Sequence, residues 1–287
     1  MRRLFVLSGG GPSGIDIHTG ILKALKEFDI LPDFWSGTSA GSIISAWCTS
    51  HGFNPDALEA FVRSLDDSLL TYRNLWYIRE AWLDSMMSNV AIYNKLKASL
   101  PKIIPSNLNT WAMKCQDLTR VNTADNKISP DLPTAVLASM SIHGIWPTVK
   151  LLDGNSYTDA GFRFNLPYDE SFYPDYDEVW LLIASGAPHA YDPNESGLIG
   201  IAQQDIDWLV ENTVLTVLER YANDSKVKVI WPLLAKPNLS FDHTLIDKGY
   251  EETKKQIQTI LQQSPCKINS YKNVLINEVR CCRKTVV

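Results

Sequence analysis

The run from Arg3 to Ser8 is short and apolar, and it breaks into a glycine-rich stretch from Gly9 to Gly14. Beyond the glycines, Ile17, Ile21, Leu22, Leu25 and Phe28 recur three or four positions apart. That spacing predicts a helix over Ile15 to Phe28 with one buried face. A second apolar run, Phe34-Trp35-Ser36, follows Leu31-Pro32-Asp33 and leads into Gly37-Thr38-Ser39-Ala40-Gly41, after which Ser42 to Thr49 reads as a buried helix. Two strand–turn–helix units within fifty residues point to an α/β fold, a mostly parallel sheet with helices on its faces.

The pattern is less regular further on. Residues 54–100 read as helical and unusually aromatic, with Phe61, Tyr72, Trp76, Tyr77, Trp82 and Tyr93 beside Met86 and Met87. Thr110 to Gln116 reads as a strand and Leu132 to Ser141 as a helix. Val149 to Leu152 and Ser156 to Thr158 flank Asp153-Gly154-Asn155, a hairpin signal. Glu178 to Ser185 is nearly all apolar, as in a strand covered on both faces. A long helix is expected within 197–222, a strand at Val227 to Trp231 and a helix from Leu245 to Gln262. The expected organisation is one domain over 1–263, with an aromatic helical cap within 54–100, and a C-terminal tail or accessory segment at 264–287.

Composition narrows the function classes. The 287 residues carry 27 Lys plus Arg against 32 Asp plus Glu, a formal net charge of −5, with 45% hydrophobic residues. That balance is globular rather than disordered and offers no general attraction for nucleic acid. No stretch reaches the ~18 apolar residues of a membrane-spanning helix. Leu4 to Leu7 imitates a signal peptide but falls short of its ~7–15 apolar residues, so a cytoplasmic location is expected. The five cysteines, Cys48, Cys115, Cys266, Cys281 and Cys282, have no C-x-x-C spacing, which fits reduced thiols rather than a disulfide framework or zinc site.

Gly9, Gly11 and Gly14 satisfy G-x-G-x-x-G between a predicted strand and helix, the context of a dinucleotide fingerprint. That use also needs an acid at the end of the second strand to hold the ribose. Here the second strand ends in Gly37-Thr38-Ser39, and the nearest acid, Asp33, precedes it. The other use is an oxyanion hole, in which Gly9, Gly10 and Gly11 offer backbone N–H groups to a developing negative charge. Pro12 has no N–H and suits the first helical turn.

Gly37-Thr38-Ser39-Ala40-Gly41 is G-x-S-x-G between a strand and a helix, the setting of a nucleophile elbow. A serine at its ordinary pKa needs a base within hydrogen-bond reach. The five histidines are His18, His51, His143, His189 and His243; the last two come late enough in the chain to complete a Ser-Asp-His order, but none has compelling surroundings. Asp159, in Tyr157-Thr158-Asp159-Ala160-Gly161, leaves the hairpin strand for a small-residue turn and is the better candidate. Asp153 belongs to the hairpin turn itself, where Asp is favoured for backbone reasons.

Taken together, Ser8-Gly9-Gly10-Gly11-Pro12-Ser13-Gly14, Gly37-Thr38-Ser39-Ala40-Gly41 and Asp159-Ala160-Gly161 resemble the patatin-like phospholipases. Ala138-Ser139-Met140-Ser141, Gly144-Ile145-Trp146-Pro147 and Asn165-Leu166-Pro167 are similar supporting context, and the resemblance covers roughly residues 3–260. It implies a three-layer α/β/α fold and a Ser–Asp dyad without histidine. It also implies hydrolysis of acyl esters in phospholipids, lysophospholipids or related lipids. By that resemblance Ser39 is the nucleophile, Asp159 the base, and Gly9, Gly10 and Gly11 the oxyanion loop. No metal or other cofactor is implied. The family usually carries Arg or Lys where Ser13 stands, Ala160 replaces a commoner Gly, and His143 stands where Pro is frequent. The aromatic segment 61–96 is a candidate cap over an acyl chain or a peripheral contact with a membrane. A Ser-His-Asp esterase and a lipid-binding relative of low activity are the alternatives, and nothing in the sequence reports the oligomeric state.

Overall fold

The computed structural model describes residues 1–72, 85–185, 198–234, 240–262 and 265–284. The chain opens with β1 (Arg3–Leu7), α1 (Gly11–Glu27), β2 (Phe34–Thr38), α2 (Ala40–His51) and α3 (Pro55–Arg63). A two-stranded pairing of β3 (Thr71–Tyr72) with β4 (Met87–Ser88) leads to α4 (Val90–Ser99), β5 (Leu108–Lys114), β6 (Arg120–Asn122) and α5 (Leu132–Met140). The hairpin β7 (Val149–Lys150) and β8 (Ser156–Asp159) runs into the single-turn α6 (Gly161–Phe164). The chain closes with β9 (Glu178–Leu182), α7 (Leu198–Arg220), β10 (Val227–Ile230), α8 (Thr244–Gln262) and α9 (Pro265–Lys284).

The main sheet is ordered β10-β9-β1-β2-β5-β8-β7, with β6 also paired to β5. It is parallel from β10 through β5, and antiparallel where β5 meets β6 and β8 and where β8 meets β7. Alternation along β1 divides the core in two. Phe5 and Leu7 pack with Ile17 and Ile21 of α1, Ile44 of α2, Val136 of α5 and Ile257 of α8. Leu4 and Val6 face the other way, toward Val214 and Leu218 of α7 and Leu275 and Val279 of α9. The result is three layers, α/β/α.

Strand β5 brings distant parts of the chain to one place. Trp111 pairs with Thr38 of β2 and also with Asn122 of β6, and Ala112 pairs with Asp159 of β8 and also with Val121 of β6. A strand has two edges, so β6 occupies one, and β2 and β8 must follow one another along the other. The carboxyl ends of β2 and β8 therefore meet head to head at adjacent residues of β5.

Two stretches differ from the expectation. Residues 54–100 are not one helical run: α3 ends at Arg63, and β3 and β4 pair before α4 begins. Trp76, Tyr77 and Trp82 lie outside the described residues. The segment after Ser264, expected only as a tail or accessory segment, contains the helix α9. Its Lys272 is 2% exposed and donates to the carbonyls of Tyr221 (3.1 Å) and Asp224 (2.6 Å), satisfying backbone acceptors just past the end of α7.

Candidate active site

Ser39 sits at the junction of β2 and α2 with φ 53° and ψ −121°, one of three described non-glycine residues at positive φ. That strain is tolerated because the surroundings leave the turn no alternative. A Cβ on Gly37 would lie 2.4 Å from the Gly41 carbonyl oxygen, and one on Gly41 would lie 2.5 Å from that of Leu7. Strand, bend and helix thus pack closely enough to require glycine on both sides of the serine. The Ser39 N–H donates to Ser139 Oγ (3.1 Å), which in turn donates to the Trp111 carbonyl (2.7 Å).

Asp159, at the end of β8, is 2% exposed. Its backbone N–H donates to the Ser141 carbonyl (2.8 Å), and the Gly161 N–H donates to Asp159 Oδ1 (2.6 Å). Burial pushes the carboxyl up from 3.8 to about 6, while interactions with the Ser39 hydroxyl and the Gly161 N–H work in the opposite direction. Ser39 and Asp159, 120 positions apart in the chain, are thus brought face to face. Both are held from the carboxyl end of α5, Ser39 by the Ser139 side chain and Asp159 by the Ser141 carbonyl.

The glycine loop lies against the serine, since a Cβ on Gly9 would come within 3.2 Å of Ser39 Cβ. Gly9 itself differs from the expectation: its N–H is donated to the Asn165 carbonyl (3.1 Å). Its place is structural, tying the loop to the segment after α6. Gly11 and Pro12 open α1, and Ala40 opens α2, so the amino ends of two helices approach Ser39 together. First-turn N–H groups have no partner inside their own helix and favour negative charge.

Beneath the loop, His18 is fully buried, and its Nε2–H donates to the Ser8 carbonyl (2.8 Å). Burial lowers its pKa to about 4, against the pull of that hydrogen bond, so the ring is neutral at pH 7. Asn165 is 1% exposed, and its amide nitrogen has no hydrogen-bond partner among the described residues. The sequence motifs contained Ser139, Ser141 and Asn165 as context, but the roles of a hydroxyl and two main-chain carbonyls were not visible there. His18 had no motif to mark it.

The other histidines do different work. His243 Nδ1 donates to Asp16 (2.7 Å) and Nε2 lies 3.1 Å from the Leu65 carbonyl, joining the loop before α8 to α1 and to the turn after α3. His51 stacks on Trp47 and bonds its carbonyl, and His143 is exposed. His189 lies outside the described residues. Asp153 stays in its hairpin turn, accepting from Asn155 and the Tyr157 hydroxyl. Among the described residues no group of His, Cys, Asp or Glu is arranged to hold a metal ion, and no helix is long and apolar enough to cross a membrane. A groove of about 830 Å³ lined by Lys26, Phe53, Asn54 and Tyr250 opens at the carboxyl end of α1, away from Ser39.

Comparison with known proteins identifies the family. The family model for patatin-like phospholipase matches residues 5–172, more than half of the chain. The chain belongs to the patatin-like phospholipase family. Triacylglycerol lipase 5 of Saccharomyces cerevisiae is 26% identical over 184 residues, 55% of this chain and 24% of the yeast protein. A patatin-like phospholipase domain-containing protein of Pyricularia oryzae is 27% identical over 201 residues, 58% of this chain and 24% of its own length. The matches thus span about a quarter of each of these relatives. The crystal structure of VipD from Legionella pneumophila superposes with a TM-score of 0.51 at 12% identity, covering 90% of this chain and 66% of VipD, a likeness of fold.

Proposed function

We infer that this patatin-like chain hydrolyses acyl esters of lipids, phospholipids or lysophospholipids among them, with Ser39 as nucleophile and Asp159 as its base. The observation that carries the reading is the strained Ser39 facing a buried carboxylate whose basicity burial has raised. The names of the relatives, a triacylglycerol lipase and a phospholipase domain protein, support lipid esters as the substrate class.

In the first half-reaction Asp159 accepts the Ser39 hydroxyl proton as the oxygen attacks the ester carbonyl. Backbone N–H groups at the start of α1, Gly11 above all, and at Ala40 stabilise the resulting oxyanion. Collapse expels the alcohol or lysolipid, which takes the proton from Asp159. In the second half, Asp159 takes a proton from water, hydroxide adds to the acyl carbon, and Ser39 leaves with that proton, releasing the fatty acid. Electrostatics favour this order, because a carboxylate with a pKa near 6 is mostly ionised at pH 7 yet more basic than an exposed one. Met86 and Val90, 54% and 60% exposed beside buried Met87, give the segment leading into α4 an apolar outer surface suited to a lipid interface.

The test is labelling with a fluorophosphonate. Wild type should label and turn over a lipid ester, and Ser39→Ala should do neither. Asp159→Asn should lose about 10²–10⁴-fold in kcat, the usual range for a general base, while Asp153→Asn stays near wild type. An unlabelled wild type, or an Asp159→Asn enzyme of full activity, would falsify the dyad.

A further inference from the structure

Arg120, on β6, is a partly buried cation whose guanidinium has no hydrogen-bond acceptor among the described residues. Its guanidinium lies 4.7 Å from the ring centre of Trp111, 5.0 Å from that of Phe172 and 5.2 Å from that of Phe164. Its side chain makes no hydrogen bond or ion pair with any described residue; burial lowers its pKa, and the nearby Asp169 carboxylate pulls the other way without a hydrogen bond. Asp169 is occupied elsewhere, accepting from the Ser171 N–H (3.0 Å) and hydroxyl (2.7 Å) and lying 3.7 Å from Arg220. The Tyr173 hydroxyl is engaged with Ser36 and Asn109.

Three rings compensate part of the lost hydration of a guanidinium, but they leave its five N–H donors unsatisfied. The Phe164 ring meets a second cation: the Arg163 guanidinium is 5.5 Å from its centre, with one nitrogen on the Leu118 carbonyl (3.2 Å). The result is local positive charge beside three aromatic walls, with no carboxylate hydrogen-bonded to Arg120 among the described residues.

We propose that Arg120 is the centre of a phosphate-binding site, walled by Trp111, Phe164 and Phe172 and assisted by Arg163. The planar fork of a guanidinium matches two oxygens of a phosphate, and phosphate supplies the charge that the rings cannot. Phe172 is 54% exposed, so one wall of the site offers apolar surface to an amphiphile. The site also adjoins the nucleophile elbow, because the Phe164 carbonyl lies 3.5 Å from the hydroxyl of Thr38, the residue before Ser39. The phosphate comes either from the head group of a lipid or from free phosphate. Only the first source rests on the lipid hydrolase reading; the anion site does not.

The experiment titrates the full chain carrying Ser39→Ala, so that no turnover intervenes, with three probes below their micelle concentrations: inorganic phosphate, dihexanoylphosphatidic acid and neutral dihexanoylglycerol. Calorimetry should show saturable binding of phosphatidic acid that falls about tenfold or more with Arg120→Met, the order expected for charge-assisted hydrogen bonds. Arg120→Lys should retain part of it, and dihexanoylglycerol should not distinguish the variants. If inorganic phosphate alone shows the Arg120 dependence, the site takes free phosphate. Saturable binding of neither phosphate probe to the Arg120 protein overturns the proposal, whether or not Arg120→Met folds, and so does equal binding to a folded Arg120→Met. Ser39 labelling, measured separately on the wild type, reports on the hydrolase reading independently.

Discussion

A single carboxyl group carries opposite consequences for chemistry and for stability. Asp159 is useful as a base because burial raises it to about 6, so kcat/KM should rise with pH through a single ionisation near that value and level off above it. The fold responds the other way. A carboxyl whose folded pKa lies above its ordinary 3.8 contributes most to stability when protonated, and that contribution is lost as pH rises through about 6. At pH 7–8 Asp159→Asn should therefore melt higher than wild type, by on the order of 2 kcal/mol, while losing activity. A pH–rate profile beside thermal melts of the two proteins checks both signs. Equal stabilities across pH 4–8 would mean that the carboxyl is solvated in the folded protein. Asp153, an exposed turn residue tied to Asn155 and Tyr157, should show no such exchange of stability for activity.

At the level of elements, the dyad is a product of strand pairing. β5 is the template: β2 ends opposite Trp111 and β8 ends opposite Ala112, so the two side chains at those ends are forced together. The end of α5 then locks both. Ser139→Ala removes the acceptor of the Ser39 N–H and a donor to the Trp111 carbonyl, both buried. Leaving such groups unmatched costs about 1–3 kcal/mol. The expected result is a lower melting temperature together with a fall in kcat of about tenfold and little change in KM, since the elbow moves and the binding surface does not. Ser139→Thr, which keeps the hydroxyl, should recover part of kcat if its methyl group is accommodated; recovery of stability without kcat would show that Ser139 does not position the serine.

Across the whole molecule, His243 tests one of the two histidine triads, through His189 or His243, that chain order allows. It clamps the loop before α8 to Asp16 of α1, and Asp16 is itself fully buried with its pKa raised chiefly by that burial. His243→Ala leaves the buried carboxylate without its ring hydrogen-bond partner and should destabilise the fold by about 1–3 kcal/mol, the cost of an unsatisfied buried group. Fluorophosphonate labelling of Ser39 at temperatures where the variant stays folded should persist, whereas a triad through His243 predicts its loss.

The strand–turn–helix units, the glycine loop, the G-x-S-x-G elbow and the Asp-Ala-Gly turn were legible in the sequence, because each depends on neighbours within a few residues: periodicity, small side chains and turn chemistry. The preference for Asp159 over Asp153 as candidate base rested on the same kind of local pattern, one acid leaving a strand and the other inside a turn. In the aromatic stretch 54–100 the helices were legible at both ends, while the strand pair between them was not, because aromatic density does not separate a helix from a short strand pair. What tertiary structure alone decided was which groups meet. The Gly9 N–H went to Asn165, His18 went under Ser8, and Arg120 reached three rings, most of these contacts joining residues far apart in the chain. Local pattern determines where a chain can bend and which faces it buries. Long-range packing determines which donor finds which acceptor, and thereby the basicity of a carboxylate.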